Sequence, residues 1–419
     1  MRISTNEFLL GSLNDLLTQQ QNVNQLNREI ATGQTMLAAS DNPGGADEAI
    51  GLANQIGTLN YDSANGDAAT QTLQSGVSTL QQVTNLLTQL RQTATSAANG
   101  TNSQANRQAD VNSAQALLQQ LVQLANTQGP NGGYLFSGSK SNAPAFSTLP
   151  SGQVVFNGDS SVNEVEIAPS LNVASTISGQ GVFTNIPAGA DGVAVSASGG
   201  NTGTAYALAG GVTNLSQVTA ASLAGTQYDI SFSGSGSNLA YQVTSGTGTP
   251  GSAGYNASSG VVASGSHAAG SDITFGGIDV QVTGAPAAGD SFAVRPGTTT
   301  SLFQTVQNLV AALGMQQGGT GQAALAQQAL QNVLANINGA QTSILSAQAT
   351  LGSNLAEIQS VQTETSTQSA DANTVMSNLQ SANLPQVLAN YSESVTALQA
   401  AEAAFAKVQN LTLFQYLVP

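Results

Sequence analysis

The 419-residue chain has no cysteine, no tryptophan and one histidine, and only 7% of its residues are charged, against about 25% in an ordinary soluble domain. Without cysteine there is no disulfide framework, no thiolate zinc site and no thiol nucleophile. A single histidine, His267, rules out histidine-rich metal clusters and leaves one side chain for Ser–His chemistry. Seven bases against 22 acids, a net charge of −15, cannot make the positive face that a nucleic-acid backbone requires. No apolar run of about 18 residues is present, so no transmembrane helix is expected. The N-terminal stretch lacks a basic region, a continuous apolar segment and a small-residue cleavage site, so no secretory signal peptide is expected either. Aromatics are scarce as well, at 5%, which leaves Ala, Leu, Val and Ile to build the cores.

The breakers that remain are concentrated in one region. Eight of the 11 prolines fall between Pro130 and Pro296, 26 of the 45 glycines between Gly152 and Gly297, and 13 of the 19 aromatics between Tyr134 and Phe303. A turn-rich, aromatic middle between breaker-poor ends predicts an α+β chain, with long helices at both ends and an inserted Gly-rich β region of one or two small modules. The expected divisions are 1–42, an N-terminal helix of an inner coiled-coil layer; 43–140, a helical rod layer; 141–190 and 191–300, two β modules; 301–383, the returning rod layer; and 384–419, a C-terminal helix of the inner layer.

The ends have helical spacing. Leu9, Leu13, Leu16, Gln20, Val23, Asn27 and Ile30 step by four and three, the spacing of a coiled-coil seam with two polar members. Leu73, Val77, Leu80, Val83, Leu87 and Leu90 give a second stripe, and Val111, Ala114, Leu117, Leu121 and Leu124 a third. Ile337, Ile344, Leu351 and Ile358 recur every seven residues, with Ala340, Ala347, Asn354 and Val361 three further on. A continuous helix over Gly319–Ala382 has 64 residues and would extend roughly 95 Å. Asn383 and Pro385 form a helix start, after which Leu388, Tyr391, Val395, Leu398, Phe405 and Val408 share one face. Leu411, Leu413, Phe414, Tyr416 and Leu417 crowd the end of the chain with apolar groups, suited either to packing on the chain's own core or to meeting a partner helix.

In the middle, strands are expected at Val154–Phe156, Glu164–Ile167, Tyr228–Phe232, Leu239–Val243 and Ser291–Val294. Asp272–Phe275 and Ile278–Val282 should form a hairpin around Gly276-Gly277. Ser141–Val294 holds eight acids and no base, which suggests a solvent-facing region that repels its own copies. Chemistry is hard to find. No phosphate-binding loop or calcium-loop spacing occurs; Glu164 and Glu166 read as a solvated strand face, and His267 as a passive loop residue. No catalytic, cofactor or metal residue is assigned, and the chain is not expected to be an enzyme.

Short motifs at both ends then point to a family. Met1-Arg-Ile-Ser-Thr, Ile30-Ala-Thr-Gly33 and Ser40-Asp-Asn-Pro43 resemble the N-terminus of the flagellin superfamily, with Asn42 standing where that superfamily usually has a second aspartate. Thr396-Ala-Leu-Gln-Ala400, Ala406-Lys-Val-Gln409 and Leu413-Phe-Gln-Tyr-Leu417 resemble its hook-filament junction branch, the hook-associated protein 3 family. In the middle, Gly158-Asp159, Val165-Glu-Ile-Ala-Pro169 and Gly181-Val-Phe183 are similar to that family's first β module. Asp272–Ile278 and Gly289-Asp-Ser-Phe292 are similar to an inserted module of its longer members. The resemblance implies a secreted structural component of the bacterial flagellum, outside the cell, exported by the flagellar type III apparatus without a cleaved signal peptide. The partners it implies are hook-associated protein 1, flagellin, further copies of the chain, and an export chaperone at the C-terminal helix, with no nucleic acid and no membrane insertion. The expected assembly residues are Leu9, Leu13, Leu16, Val23, Ile30, Leu388, Tyr391, Val395, Leu398, Phe405, Val408, Leu413, Phe414, Tyr416 and Leu417. Two other readings stay open: flagellin itself, the bulk filament subunit, and an extracellular adhesin that binds through the β region.

Overall fold

The computed structural model describes residues 5–99, 103–234, 236–248, 250, 260–268, 270–315 and 320–410. The chain is α+β, and two compact units divide it: residues 1–64 together with 361–419, and residues 65–360.

The first unit holds helix α1 (Thr5–Thr32), the start of α2 (Pro43–Ala98), the end of α6 (Thr320–Gln380) and α7 (Leu384–Asn410). Its corners are set by turn chemistry. Gly33, at φ +69, ends α1 in the left-handed conformation that lacks a penalty only for glycine, and its N–H returns to the Glu29 carbonyl at 2.8 Å. The Asp41 carboxylate accepts from the N–H groups of Leu37 and Ala38. Asn42 Oδ1 accepts from Gly45 N at 3.1 Å, and Pro43 opens α2 where its missing N–H costs nothing. The Ser40–Pro43 motif is therefore a stop and a start placed back to back. A backbone bridge then fixes this corner to the next one, with Thr35 N donating to Gln380 O and Ala382 N to Gly33 O, both at 2.8 Å.

In the second unit the predicted stripes are buried except at Val77, Val111, Leu124 and Asn354, which are half-buried. Leu73, Leu80, Val83, Leu87 and Leu90 of α2, Ala114, Leu117 and Leu121 of α3 (Gln104–Ala125), and Ile337, Ile344, Leu351 and Ile358 of α6 are all buried. A further helix, α5 (Leu302–Met315), packs on α3. Phe303 at its start joins Phe136, Phe146 and Phe183 in a cluster of edge-on and tilted rings with centroids 4.9 to 6.1 Å apart. The α6 helix carries no charge before Glu357. There it offers amides to the lone guanidinium of Arg91 on α2, which donates to Asn338 Oδ1 and Gln341 Oε1.

The β region begins with two hairpins, β1 (Phe146–Thr148) with β2 (Val154–Phe156), and β3 (Glu164–Ala168) with β4 (Leu171–Ala174). A two-pair stem follows, formed by β5 (Ile186–Pro187) and β14 (Thr299–Thr300). Everything between these strands is one inserted module. Its strands are β6 (Val193–Ala197), β7 (Tyr206–Val212), β8 (Gln227–Ser233), β9 (Ala240–Gly246), β10 (Val261–Ser266), β11 (Asp272–Phe275), β12 (Ile278–Thr283) and β13 (Ser291–Pro296), with a short helix, α4 (Leu215–Leu223), after β7. They form a five-stranded sheet, β10-β9-β8-β13-β6, and a three-stranded sheet, β11-β12-β7. Strict alternation on β8, β12 and β13 turns Ile230, Phe232, Val280, Val282, Phe292 and Val294 into one shared core. The Gly276-Gly277 turn has φ +54 and +77, the two positive values that a two-residue hairpin turn of the twist-matched kind demands.

Two elements depart from the all-β expectation for the middle. The α4 helix forms because Asn214 caps it, with Oδ1 accepting from Gln217 N at 3.2 Å, and because Val218 and Ala221 bury against the module core. A single turn of π-helix at Gln180–Thr184 presents Val182 and Phe183 inward.

Candidate assembly surface

The first unit joins the two ends of the described chain. Helices α1 and α7 lie antiparallel: Ser12 and Leu16 line one groove with Ala401 and Phe405, Gln19 Nε2 donates to the Ser394 carbonyl at 3.3 Å, and Leu26 lines a second groove with Asn390. On α1 the half-buried positions are Ser12, Leu16, Gln19, Val23, Leu26 and Ile30, spaced by four and three. On α7 they are Tyr391, Ser394, Val395, Leu398, Ala401 and Phe405, continued N-terminally by buried Val387. Small residues make the contact loose, and an open groove of about 370 Å³ runs between the helices, lined by Leu16, Ala397, Ala401, Ala404 and Phe405 among others.

Among the expected assembly residues, Leu16, Val23 and Ile30 on α1 and Tyr391, Val395, Leu398 and Phe405 on α7 are half-buried, brought together by this pairing. Leu13 and Leu388 are not part of it, and stand 43% and 51% exposed. Leu9 and Val408 belong to the helices, but their side chains lie outside the described residues, as do Leu413, Phe414, Tyr416 and Leu417.

The seam itself differs from the expected one on one flank. Leu16, Val23 and Ile30 are its fixed heptad positions, but the intervening members are Ser12, Gln19 and Leu26, whereas Leu13, Gln20 and Asn27 are exposed. A heptad run can be continued three or four residues along, and Leu13 favours the wrong choice in the sequence. Ser12 lines the groove with Ala397, Ala401 and Ala404 of α7 instead, and Gln19 reaches the Ser394 carbonyl. On α7 buried Val387 takes the place expected for exposed Leu388. Its signal was readable, because Val387, Tyr391, Ser394, Leu398, Ala401 and Phe405 step by four and three without a break.

The leucines left out line up. Leu10, Leu13 and Leu17 are 61%, 43% and 51% exposed at positions i, i+3 and i+7, one continuous stripe on α1. Leu384 and Leu388 are exposed on α7. Each terminal helix thus half-buries one apolar stripe and leaves other leucines bare.

Side chains that could carry chemistry are scattered and internally engaged. Glu164 and Glu166 are exposed on β3, where Glu166 Oε1 accepts from Ser170 N. The hydroxyl and backbone N–H of Ser139, with help from Ser161 N, hold the Asp159 carboxyl below its ordinary value. The His267 ring packs edge-on to Phe232, 5.2 Å between centroids, and its Nε2 is buried without a hydrogen bond; burial pushes its pKa down. No group of three or more metal-ligating side chains gathers among the described residues. No described helix is long and apolar enough to cross a membrane.

Residues 3–141 match the family model of the bacterial flagellin N-terminal helical region. Flagellar hook-associated protein 3 of Escherichia coli (strain K12) is 28% identical over 190 residues, 45% of this chain and 59% of that protein; the match therefore spans less than two thirds of the curated relative. The crystal structure of flagellar hook-associated protein-3 from Legionella pneumophila is similar with a TM-score of 0.69 at 31% identity, covering 78% of this chain and 98% of the other. The flagellar junction protein FlgL from Legionella pneumophila gives a TM-score of 0.67 at 30% identity, over 81% of this chain and 100% of that one.

Proposed function

The chain belongs to the flagellar hook-associated protein 3 family, and we propose that it is the adaptor that joins the hook-associated zone of the flagellum to the flagellin filament. The observation that carries this is the α1–α7 pair. Its seam is half-buried on both sides, and the leucines at 10, 13, 17, 384 and 388 remain 42% to 61% exposed. Two helices alone cannot bury more, so further helices must supply the rest. Those helices belong to neighbouring copies, to hook-associated protein 1 on one side and to flagellin on the other. Contacts of one patch with a different patch are heterologous and continue as a helical lattice, not as a closed dimer. Leu9, Leu13, Leu16, Val23, Ile30, Leu388, Tyr391, Val395, Leu398, Phe405, Val408, Leu413, Phe414, Tyr416 and Leu417 carry this assembly. The role is structural, with no catalysis.

The near absence of charge supports the same reading, since a surface covered by its own kind must desolvate few ions. Place and route follow from the role: the protein works outside the cell, reaches its site through the flagellar export channel, and has its apolar C-terminal helix shielded by a chaperone beforehand.

Deleting the gene tests the proposal. Loss of the junction should release unpolymerised flagellin into the medium and abolish swimming, with both restored by the intact gene. Bare hooks without leaked flagellin would instead mark the chain as the bulk filament subunit and overturn the adaptor reading.

A further inference from the structure

Both sheets of the inserted module have an open edge that faces the same helix. The three-stranded sheet ends at β7 and the five-stranded sheet at β6. On β7, Ala207 pairs with Val282 on its inner side, and its own N–H and C=O point outward. Gln328 of α6 takes both: its Oε1 accepts from Ala207 N at 2.7 Å and its Nε2 donates to Ala207 O at 2.8 Å. The Gln328 amide therefore occupies the place of the next strand. On β6, Asn332 Nδ2 donates to Val195 O at 2.8 Å. The two amides are joined, Gln328 Nε2 donating to Asn332 Oδ1 at 3.1 Å. One turn further on, Asn336 Oδ1 accepts from Gly189 N, just past the stem, at 2.7 Å.

Gln328, Asn332 and Asn336 stand at i, i+4 and i+8, so they form one row along α6. Gln328 is buried, at 3% exposure, and every polar atom of its amide is bonded. Apolar side chains would fill the same space more simply, but they would tolerate sliding. Amides bonded to particular backbone groups do not, because a shift by one residue along either strand would leave buried donors and acceptors unpaired. The stem offers less fixation by comparison: two residue pairs, Ile186 with Thr300 and Pro187 with Thr299, extended by the backbone bonds of Ala188 N to Thr298 O and Gly297 N to Gly192 O.

We propose that the Gln328–Asn332–Asn336 row is the device that fixes the direction of the inserted module on α6, making it a rigid projection and not a spacer swinging on its stem. The same row closes both sheet edges against strand addition.

The absence of native cysteine makes the test clean. Spin labels at Gln82→Cys on α2 and Thr274→Cys on the β11–β12 hairpin, both exposed, report the direction of the module in the full chain. The parent should give one narrow distance distribution. The triple variant Gln328→Ala, Asn332→Ala, Asn336→Ala should give a broad one, while the module's methyl spectrum is retained. A distribution that stays narrow overturns the proposal. Should the triple variant fail to fold, Gln328→Leu keeps the volume and removes only the amide. Its Ala207 N–H should then exchange with solvent about tenfold faster than in the parent, and unchanged protection of Ala207 overturns the proposal as well.

Discussion

Asparagine and glutamine do in this chain much of what charged residues do elsewhere. Asn126 ends α3 and pairs with β1 through both atoms of its amide, donating to Phe146 O at 2.9 Å and accepting from Phe146 N at 2.8 Å. Asn201 holds Ser291 in the same two-bonded way. Asn354 of α6 and Asn65 of α2 reach the β3–β4 hairpin through the carbonyls of Ala174 and Glu166. Caps use the same chemistry: Asn383 Oδ1 accepts from Gln386 N at 3.4 Å, and its carbonyl takes the first helical bond, from Val387 N. Asn383→Ala should cost about 1 kcal/mol, read as a lower urea midpoint for the first unit, whereas Asn383→Ser should retain most of the stability. The few titratable groups inside the module set its pH response. His267 is held below its ordinary 6.5 by burial, so the folded module prefers the neutral ring. The stability this provides is complete above pH 6.5 and is lost as pH falls from there through the folded value. Asp229 is raised above 3.8 by burial, and Asp279 is raised by burial and by the neighbouring Asp272. Their charged forms weigh against the fold at neutral pH, and that penalty is relieved as pH falls through their folded values towards 3.8. Urea midpoints of the module from pH 7.5 downward should therefore drop first below 6.5. His267→Gln should remove that drop, and Asp229→Asn should raise the midpoint at neutral pH.

At the scale of elements, the sequence was most legible where one side of an element is fully buried. The seven-residue recurrence of Ile337, Ile344, Leu351 and Ile358 marks α6, whose bounds, Thr320–Gln380, fall within two residues of the span read from composition. The strands Val154–Phe156 and Asp272–Phe275 match residue for residue; for Asp272–Phe275, alternation and the glycine pair that follows leave one register open. Legibility failed where burial is partial or side chains are small. The β7 strand, Tyr-Ala-Leu-Ala-Gly-Gly-Val, has too few β-branched residues to show as a strand, and is held by β12 on one side and Gln328 on the other. The α4 helix is hidden in glycine-rich surroundings by the same shortage of pattern. On α1, three heptad residues were clear and their flank was not, since a half-buried seam leaves leucines on both sides. The position of Val387 in that seam makes a prediction. Val387→Asp places a charge at a buried site and should loosen the α1–α7 pair, measured as faster amide exchange in α7. Leu388→Asp changes an exposed site, so it should leave that exchange unaltered. Leu398→Asp and Phe405→Asp should both stop filament attachment while the β module stays folded, which motility and secretion assays check; normal attachment in either would remove α7 as the joint.

For the molecule as a whole, the inserted module is attached in a way that permits its removal. Ala188 N donates to Thr298 O at 2.9 Å, directly beside the β5–β14 pairs, so the chain leaves and re-enters at neighbouring points and a short connection can replace everything between them. The helix face that would be uncovered carries Gln328, Asn332 and Asn336, amides that water can satisfy, where a leucine row would become an adhesive patch. The acids of the module strengthen the case that it is not a self-association surface: Asp191, Asp229, Asp272, Asp279 and Asp290 are offset within it only by Arg295, so its copies repel. Excising residues 189–297 and closing the gap with two glycines should therefore leave a chain that keeps its helical circular dichroism, its ring cluster and its terminal helix pair. If assembly resides in α1 and α7, cells carrying the excised chain should still retain flagellin and swim. Leakage of flagellin from a folded excised chain would place part of the joint in the module. Normal swimming with lost attachment to surfaces would instead give the module an adhesive task of its own.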